Sequence, residues 1–520
     1  MLARVRSATL VGIDACLVDV EADLAPGLPS FSTVGLPQSA VKEGRERVMA
    51  AIVNAGYASP LKRITVNLAP ADLPKSGSGF DLPIAVAILV GSDQVREDRL
   101  DGALLIGELG LEGALRPVRG ALSVALAARA AGLGTLILPA ANAAEAAVVG
   151  GLAVLGATHL MDVVQHLAGE RELVPAVADP AALLAGERFE AVDFADVRGQ
   201  PAAKRALEVA AAGGHNLLLI GPPGSGKTML ARRLPTILPA LALEESLECT
   251  RIHSVAGLLP PGRAILTTRP FRAPHHTVSD AGLIGGGSNP RPGEVSLAHG
   301  GVLFLDELPE FRRNVLEGMR QPLEDGVVTL SRAAISLTYP ARFTLAAAMN
   351  PCPCGHFGDS TRPCRCEPGA VERYLGRVSG PLLDRIDLQL RVPAVSAAEL
   401  SGEGSEEPSA AIRGRVEAAR ERQRARFRGL PGVHANAHMG PRELWAHCRL
   451  EPAGEDLLRA ALARLGLSAR AYHRVLKVAR TIADLAGTDG VGIPHVSEAI
   501  QYRTLDRGMR LAGQGPAPRG

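Results

Sequence analysis

Three short, mostly apolar runs mark the middle of the chain: Leu217-Leu-Leu-Ile220, Val302-Leu-Phe-Leu305 and Phe343-Thr-Leu-Ala-Ala-Ala-Met349. Apolar runs of this length without polar alternation predict strands buried on both faces, as in a parallel sheet covered by helices. Each run stops in a different kind of polar segment. The first enters Gly221-Pro-Pro-Gly-Ser-Gly-Lys-Thr228, the second ends at Asp306-Glu307, and the third at Asn350. Strands that all finish in chemistry describe the carboxyl edge of an open α/β sheet, the edge at which ligands bind.

The pattern changes on either side. Residues 1 to about 170 alternate β-like runs (Thr9-Leu-Val-Gly-Ile13, Ile64-Thr-Val-Asn-Leu68, Leu136-Ile-Leu138) with Ala-rich helical stretches such as Val41 to Ala55. A weakly patterned connector with Pro175 and Pro180 covers 171–190, and the motif-bearing region follows over 191–400. Gly402-Glu-Gly-Ser-Glu-Glu-Pro-Ser409 reads as a flexible break, 410–511 as helices, and 512–520 as a frayed tail. No internal repeat is present. The most apolar stretch, Ala121 to Ala140, is interrupted by Arg129 and is rich in Ala and Gly, which predicts a helix followed by a strand and not a membrane span.

Composition narrows the class. At 520 residues there is room for two or three domains, and 47% hydrophobic content with 3% aromatics demands a core of Ala, Val and Leu. Met1-Leu-Ala-Arg4 lacks the apolar stretch of a secretory signal, so a soluble cytoplasmic protein is expected. A formal net charge of +2 neither requires nor forbids nucleic acid as a partner.

The first polar segment matches G-x-x-x-x-G-K-[ST] directly after a predicted strand. Gly221, Pro222, Pro223, Gly224, Ser225 and Gly226 would curl backbone N–H groups around phosphate oxygens, and the following helix would add its positive dipole end. Lys227 would reach the β and γ phosphates of ATP, and Thr228 would place its hydroxyl on Mg²⁺. Asp306 would hold the same Mg²⁺ through water, Glu307 would polarise the attacking water as general base, and Asn350 would orient it.

Other clusters stay open between two readings. Four of the seven cysteines, Cys352, Cys354, Cys364 and Cys366, follow Asn350. Four thiolates suit a structural Zn²⁺, with His356 as a substitute ligand, although C-x-C is tighter than the usual spacing and free thiols are the alternative. Cys16, Cys249 and Cys448 stand alone and read as core residues. His275 and His276 suggest a metal pair, but adjacent side chains diverge, which favours a loop or packing role. The segment 410–428 carries seven arginines against two glutamates, as either a solvated helix face or an anion contact. Two stretches look inserted between the site strands: Arg251 to Arg291, and Glu324 to Leu337, where Asp325-Gly326 beside β-formers signals a hairpin turn.

Taken together, these residues resemble the magnesium-chelatase-like AAA+ family of the ComM and YifB type, over nearly the whole chain. Phe194-Ala-Asp-Val-Arg-Gly-Gln200 is similar to the segment that borders adenine in AAA+ proteins, and the cradle, Asp306-Glu307 and Asn350 follow in family order. Ser379 to Asp387 resembles the segment carrying the arginine finger, here Arg385, for which a salt bridge to its flanking aspartates is the bland alternative. Ser468 to Arg480 is similar to the helix bearing the second sensor arginine, Arg470, with Arg474 also expected on the nucleotide. The resemblance implies an AAA+ P-loop NTPase domain with a helical lid, preceded by an α+β Lon-protease-like domain of the ribosomal S5 domain 2-like fold. Val41 to Val48 and Pro74-Lys-Ser-Gly-Ser-Gly-Phe-Asp81 resemble the helix and the catalytic turn of that fold. Gly79 stands where its nucleophilic serine would be and Ser78 is one residue off, so ring assembly or docking is expected in place of peptidase chemistry.

The resemblance further implies a homo-hexamer that uses Mg·ATP to move on single-stranded or branched DNA, alongside recombination proteins in natural transformation. The two inserts would project into the ring pore, with Arg332 on the phosphate backbone. A chelatase-type motor for metal insertion and a non-translocating assembly scaffold are the competing readings.

Overall fold

Local sequence builds two sheets of unlike character. The computed structural model describes residues 1–505 apart from Glu97, 186–191, Pro261, 288–289, 333–334, 359–361, 396–405, Pro431, Leu467 and Thr504. The chain divides into two compact units, one of Met1–Gly186, Ala242–Thr267 and Ser331–Tyr339, the other of Glu187–Leu241, Thr268–Leu330 and Pro340–Gly520.

The first unit contains β1 (Leu2–Val11), β2 (Asp14–Ala25), β3 (Ser30–Val34), α1 (Ser39–Asn54), β4 (Arg63–Ala69), α2 (Asp81–Gly91), β5 (Ala103–Leu105), α3 (Ala121–Ala130), β6 (Thr135–Pro139), α4 (Ala140–Ala147), β7 (Ala153–Ala157) and α5 (Leu160–Ala168). Its seven-stranded sheet runs β3-β4-β2-β1-β5-β6-β7, antiparallel for β1/β2 and β2/β4 and parallel elsewhere. Helix α2 is apolar and buried along its whole length, which marks it as the centre of one of the two cores flanking this sheet. Pro139 ends β6 and leads into α4, whose Asn142 and Glu145 are turned inward to cap the backbone N–H groups of Val118 and Leu122.

The second unit contains α6 (Pro201–Gly213), β8 (Leu217–Ile220), α7 (Lys227–Ile237), then α8 (Leu243–Ala256), which belongs to the first unit, and β9 (Phe271–Arg272), β10 (Val302–Leu305), α9 (Arg320–Asp325), the start of β11 (Val327–Arg332) and the last residue of β12 (Ile335–Pro340), whose residues Ser331–Tyr339 are counted with the first unit, then β13 (Thr344–Met349), α10 (Gly380–Leu383), β14 (Leu388–Arg391), α11 (Ser409–Arg426), α12 (Ala469–Leu485) and α13 (Ile493–Gln501). Its five-stranded sheet runs β9-β10-β13-β8-β14 and is parallel throughout. Alternate residues of each strand enter different cores. Leu217, Leu219, Phe304, Ala346 and Ala348 face one side, and Leu218, Ile220, Leu305, Ala347 and Met349 the other. That double burial is what the unbroken apolar runs predicted.

Several boundaries depart from the sequence reading. The carboxy-terminal helices share one core with the sheet, through Ile412, Val416 and Ala419 of α11 and Val475, Leu476 and Ala479 of α12. The connector is fastened as far as it is described, since Ala176 N donates to Val154 O at 2.8 Å, while 186–190 lie outside the described residues. So do 402–405 of the expected flexible break and the tail 512–520. The described end of that break is held: Glu406 accepts from Gly199 N and Lys204, and Ser409 Oγ accepts from Phe194 N.

The Asp325-Gly326 pair is not a hairpin turn. Gly326, at φ +68°, caps the carboxyl end of α9 and precedes the two-stranded ribbon β11–β12, while the residues between those strands, 333–334, lie outside the described residues. Glycine satisfies a left-handed helix cap as readily as a tight turn, and only the downstream flank carries the β-formers. The first expected insert begins within α8. Helix α8 is packed into the first unit: Arg251 bonds Asp14 and Ile13 O, Ser254 bonds Glu145 and accepts from Gly120 N, and Leu247, Ala264 and Ile265 join the core around α3. The stretch expected as an insert, Arg251 to Arg291, is thus divided, its part up to Thr267 belonging to the first unit and its part from Thr268 to the second.

Candidate functional site

The cradle forms because β8 ends at a segment that only glycine-rich backbone can occupy. A Cβ on Gly221 would stand 2.1 Å from Val392 O, and Gly224 (φ +78°) and Gly226 (φ +86°) sit in the left-handed region with open space beside them. Gly226 caps α7, so the helix dipole points into this concavity. Pro222 and Pro223 stiffen the entry. Ser225 Oγ is fully buried yet has no hydrogen-bond partner among the described residues, an orphan that a phosphate oxygen would satisfy. Lys227 donates its ammonium to Gly221 O at 2.7 Å, Pro222 O at 2.8 Å and Asn350 Oδ1 at 3.3 Å, and burial lowers its pKa. An ammonium bound only to neutral acceptors in a buried site favours an anion. The donor set thus fits a nucleotide triphosphate.

Strand β10 delivers the carboxylates. Asp306 Oδ2 accepts from Thr228 Oγ1 at 2.6 Å, joining the two expected Mg²⁺ partners, and Oδ1 accepts from Glu307 N at 2.9 Å. All-oxygen donors of this kind fit Mg²⁺. Glu307 adopts φ +53°, a conformation uncommon for a residue with a side chain, and projects a carboxylate that is 57% exposed. Local strain of this kind concentrates at functional positions. His276 meets it, with Nδ1 3.3 Å from the Glu307 carboxylate and its ring edge against Phe311. His275 turns to Thr277 Oγ1 at 2.9 Å, so the two histidines do not converge on a metal. The sequence reading missed the His276 contact with Glu307. The strand that aims it, β9, is two residues long and leaves no legible pattern.

The cationic candidates occupy the opposite edge. Asn216, just before β8, accepts from Asp387 N and Leu388 N through its backbone and donates Nδ2 to Arg385 O at 3.0 Å. Climbing from Asn216 to Gly221 at about 3.3 Å per residue puts this edge roughly 16 Å from the cradle. Arg385 is buried to 8% exposure, with Nη1 on Pro381 O at 2.8 Å and Nη2 on Glu324, so its ion pair is not with the flanking aspartates. Arg474 does not lie at this chain's cradle: it pairs with Asp387 and donates to Arg385 O at 3.3 Å. Burial alone would raise the Asp387 carboxyl, but Arg474 and a 3.1 Å contact to the buried His215 hold it well below the usual range. Arg470 is exposed at the start of α12.

The arginine-rich segment is largely engaged within its own unit. Arg413 bonds Thr236 O, Arg415 bonds Glu208 and Glu407, Arg420 bonds Ala211 O, Arg422 bonds Asp489, Arg424 bonds Glu421, and Arg426 bonds Asp484. Of these six, Arg422 and Arg424 are paired only at the exposed surface, and the other four are tied to groups of the same unit. Arg332 ends β11, and its side chain lies outside the described residues.

The four clustered cysteines converge. Their sulfurs lie within 4.8 Å of one another, with Cys352–Cys354 at 3.4 Å, Cys352–Cys364 at 3.7 Å and Cys354–Cys364 at 3.6 Å. Tetrahedral Zn²⁺ with Zn–S of about 2.3 Å sets sulfurs about 3.8 Å apart, so the donor set fits. Backbone N–H groups of Arg365 and His356 pull the Cys354 thiol down to about 6. This loop touches the cradle, since a Cβ on Gly355 would meet Pro223 Cδ at 2.4 Å. Cys249 and Cys448 are buried and Cys16 half-buried.

In the first unit, a Cβ at Gly79 would lie 3.0 Å from Ile106 Cγ1, so this position has little room for a serine. Ser78 bonds Glu108, and the buried Lys75 bonds Pro70 O. No helix among the described residues is long and apolar enough to cross a membrane.

Comparison with known proteins matches these elements to one family. Family models match for "Magnesium chelatase, subunit ChlI" over residues 193–400, "Subunit ChlI of Mg-chelatase" over 20–142 and "Magnesium chelatase, subunit ChlI C-terminal" over 406–503. The chain is 47% identical over 511 residues to the uncharacterized protein YifB of Salmonella typhimurium, covering 97% of this chain and 98% of that one. It is 46% identical over 512 residues to the competence protein ComM of Haemophilus influenzae, with the same coverage. A shorter match, 32% over 164 residues, covers 29% of this chain and 28% of Lon protease 2 of Bacillus subtilis. A cradle, a Thr–Asp pair and an acidic strand end in one parallel sheet, carried by a chain that aligns with these relatives from end to end, show that the protein belongs to the ComM/YifB family of magnesium-chelatase-like AAA+ ATPases.

Proposed function

We propose that the chain is an ATP-driven DNA motor that works as a homo-hexameric ring, with helicase or branch-migration activity on recombination intermediates during natural transformation. The observation that carries the reading is the separation of phosphate-binding and cationic groups onto opposite edges of one sheet, roughly 16 Å apart. An arginine side chain cannot span that distance, so Arg385 and Arg470 would serve the nucleotide of a neighbouring protomer, with Arg474 held on Asp387 behind them. In such a shared site Gly221, Pro222, Pro223, Gly224, Ser225, Gly226 and Lys227 hold the phosphates, and Thr228 and Asp306 hold Mg²⁺. Mg²⁺ supplies charge neutralisation, Glu307 takes the proton of the attacking water, and Asn350 orients that water. A finger supplied in trans is worth about 10³ to 10⁵ in rate, which makes hydrolysis depend on assembly.

Support for DNA as the track comes from the competence protein among the full-length relatives and from the ribbon ending in Arg332. The chelatase-type motor is favoured by the three family models instead, and a scaffold would need neither track. ATPase measured with and without DNA, together with four-way-junction unwinding, separates them. The motor reading expects a several-fold DNA stimulation that weakens steeply with salt, and no response of either kind would refute it. In the same assays Glu307→Gln should keep ATP affinity and lose roughly 10² to 10⁴ in turnover; full hydrolysis would remove Glu307 as base.

His276 orients Glu307 in this reading. His276→Ala is expected to lower kcat roughly tenfold while KM for ATP stays put, because the histidine touches the base and not the nucleotide. A change in KM alone would contradict that role.

The cysteine cluster holds a structural Zn²⁺ that braces Pro223 and Asn350 from behind. Elemental analysis should find one zinc per chain, lost in Cys354→Ser or Cys364→Ser, and chelation should weaken ATP binding and lower the melting temperature. Protein free of zinc with unaltered melting and ATP affinity would leave the cysteines as plain thiols.

A further inference from the structure

Arg385 is held tightly in the single chain. Its guanidinium bonds Glu324 through Nη2 and Pro381 O through Nη1, while the buried Nε has no partner among the described residues. Glu324, by contrast, is more than half exposed. Its carboxyl is held below the usual range, first by the Arg385 hydrogen bond, with the charge of Arg470 adding to it. One carboxylate therefore holds the proposed finger.

The position of Glu324 connects that contact to a different part of the fold. Helix α9 ends at Asp325, and Gly326 turns it directly into β11, the first strand of the ribbon. The base of the ribbon is closed by Ala341 N donating to Gly326 O at 2.8 Å. Val328 and Ala341 of that base lie in the same core as Leu382 and Ile386, which flank Arg385 in sequence, with Leu323 and Leu383 packed against it. Finger segment and ribbon base thus form one packed body, and a dense core transmits a displacement of either part to the other. Glu324 is a charged contact across that body.

We propose that Glu324 is a positioning residue that stores Arg385 away from the neighbouring protomer's nucleotide and releases it when the β11–β12 ribbon is displaced. This rests on the reading of Arg385 as a finger in trans. A carboxylate and a γ phosphate compete for one guanidinium, since each presents anionic oxygens that accept from the same N–H groups. While Glu324 holds Nη2, the finger is unavailable; a shift of α9 with the ribbon lengthens that bond and frees it. By linkage the effect is reciprocal: capture of Arg385 by phosphate loosens the resting position of α9 and the ribbon.

Steady-state ATPase of the full chain tests this, measured with and without a single-stranded oligodeoxythymidylate, for wild type, Glu324→Gln, Glu324→Ala, Glu324→Asp and Arg385→Ala. Glu324→Gln and Glu324→Ala should raise the DNA-free kcat several-fold and bring the stimulation ratio toward one, with KM for ATP and the DNA-saturated kcat within twofold of wild type. Glu324→Asp, which keeps the charge, should recover most of the wild-type ratio. A Glu324→Gln protein with unaltered DNA-free rate and stimulation, beside an inactive Arg385→Ala protein, overturns the storage role alone. So does a loss of the DNA-saturated rate in Glu324→Gln. Wild-type turnover in Arg385→Ala overturns the finger reading beneath it.

Discussion

A parallel sheet has two unlike ends, and the account of this protein depends on that inequality. At the carboxyl end of β8, backbone N–H groups, the dipole of α7 and Lys227 create a site for negative charge, completed by Asp306 and Glu307 from β10 and Asn350 from β13. At the amino end of the sheet, the approach to β14 and helix α12 gather Arg385 and Arg474 around Asn216, just before β8, and Asp387. Strand length keeps the two groups apart, and no side-chain rotation in one chain brings them together. Catalysis that needs both must then draw them from two copies.

Buried charge stabilises the amino edge. Asp387 is nearly inaccessible and is matched by Arg474 and by His215, which in turn reaches Thr481 Oγ1 at 2.8 Å. A second buried carboxylate, Asp484, takes Arg426, Arg480 and Asn436. Removing one partner of such a pair leaves an uncompensated charge and costs about 3–5 kcal/mol. These networks fasten α12 to the sheet and to α11, so the exposed Arg470 projects from a rigid helix. Rigidity matters because a trans-acting cation must be presented at a fixed position to be useful.

What could be read from the sequence follows from how local each determinant is. The cradle, Asp306, Glu307 and Asn350 were legible because strand, turn and chemistry are adjacent in the chain, and the apolar runs placed all three strand ends on one edge. Partners of long cationic side chains were not legible. Arg474 turns to Asp387, Arg385 to Glu324 and Arg415 to Glu208, each chosen by tertiary geometry across tens to hundreds of residues. Gly326 shows the same ambiguity at short range, since a left-handed glycine ends a helix or makes a hairpin with equal ease. The burial of α8 was not legible because its buried face carries Ser246, Thr250, His253 and Ser254 beside Cys249 and Ile252, too polar to announce a docking surface. His276 escaped because the strand that aims it is only two residues long.

The most direct test of the shared site is to mix two inactive proteins. Glu307→Gln lacks the proposed base and Arg385→Ala the proposed finger, so neither protein alone should hydrolyse ATP. In a random equimolar mixture about a quarter of the sites pair an intact base with an intact neighbouring finger, and a comparable share of the wild-type rate should return. A mixture that stays inactive, although both proteins bind ATP and exchange subunits, would contradict catalysis between protomers.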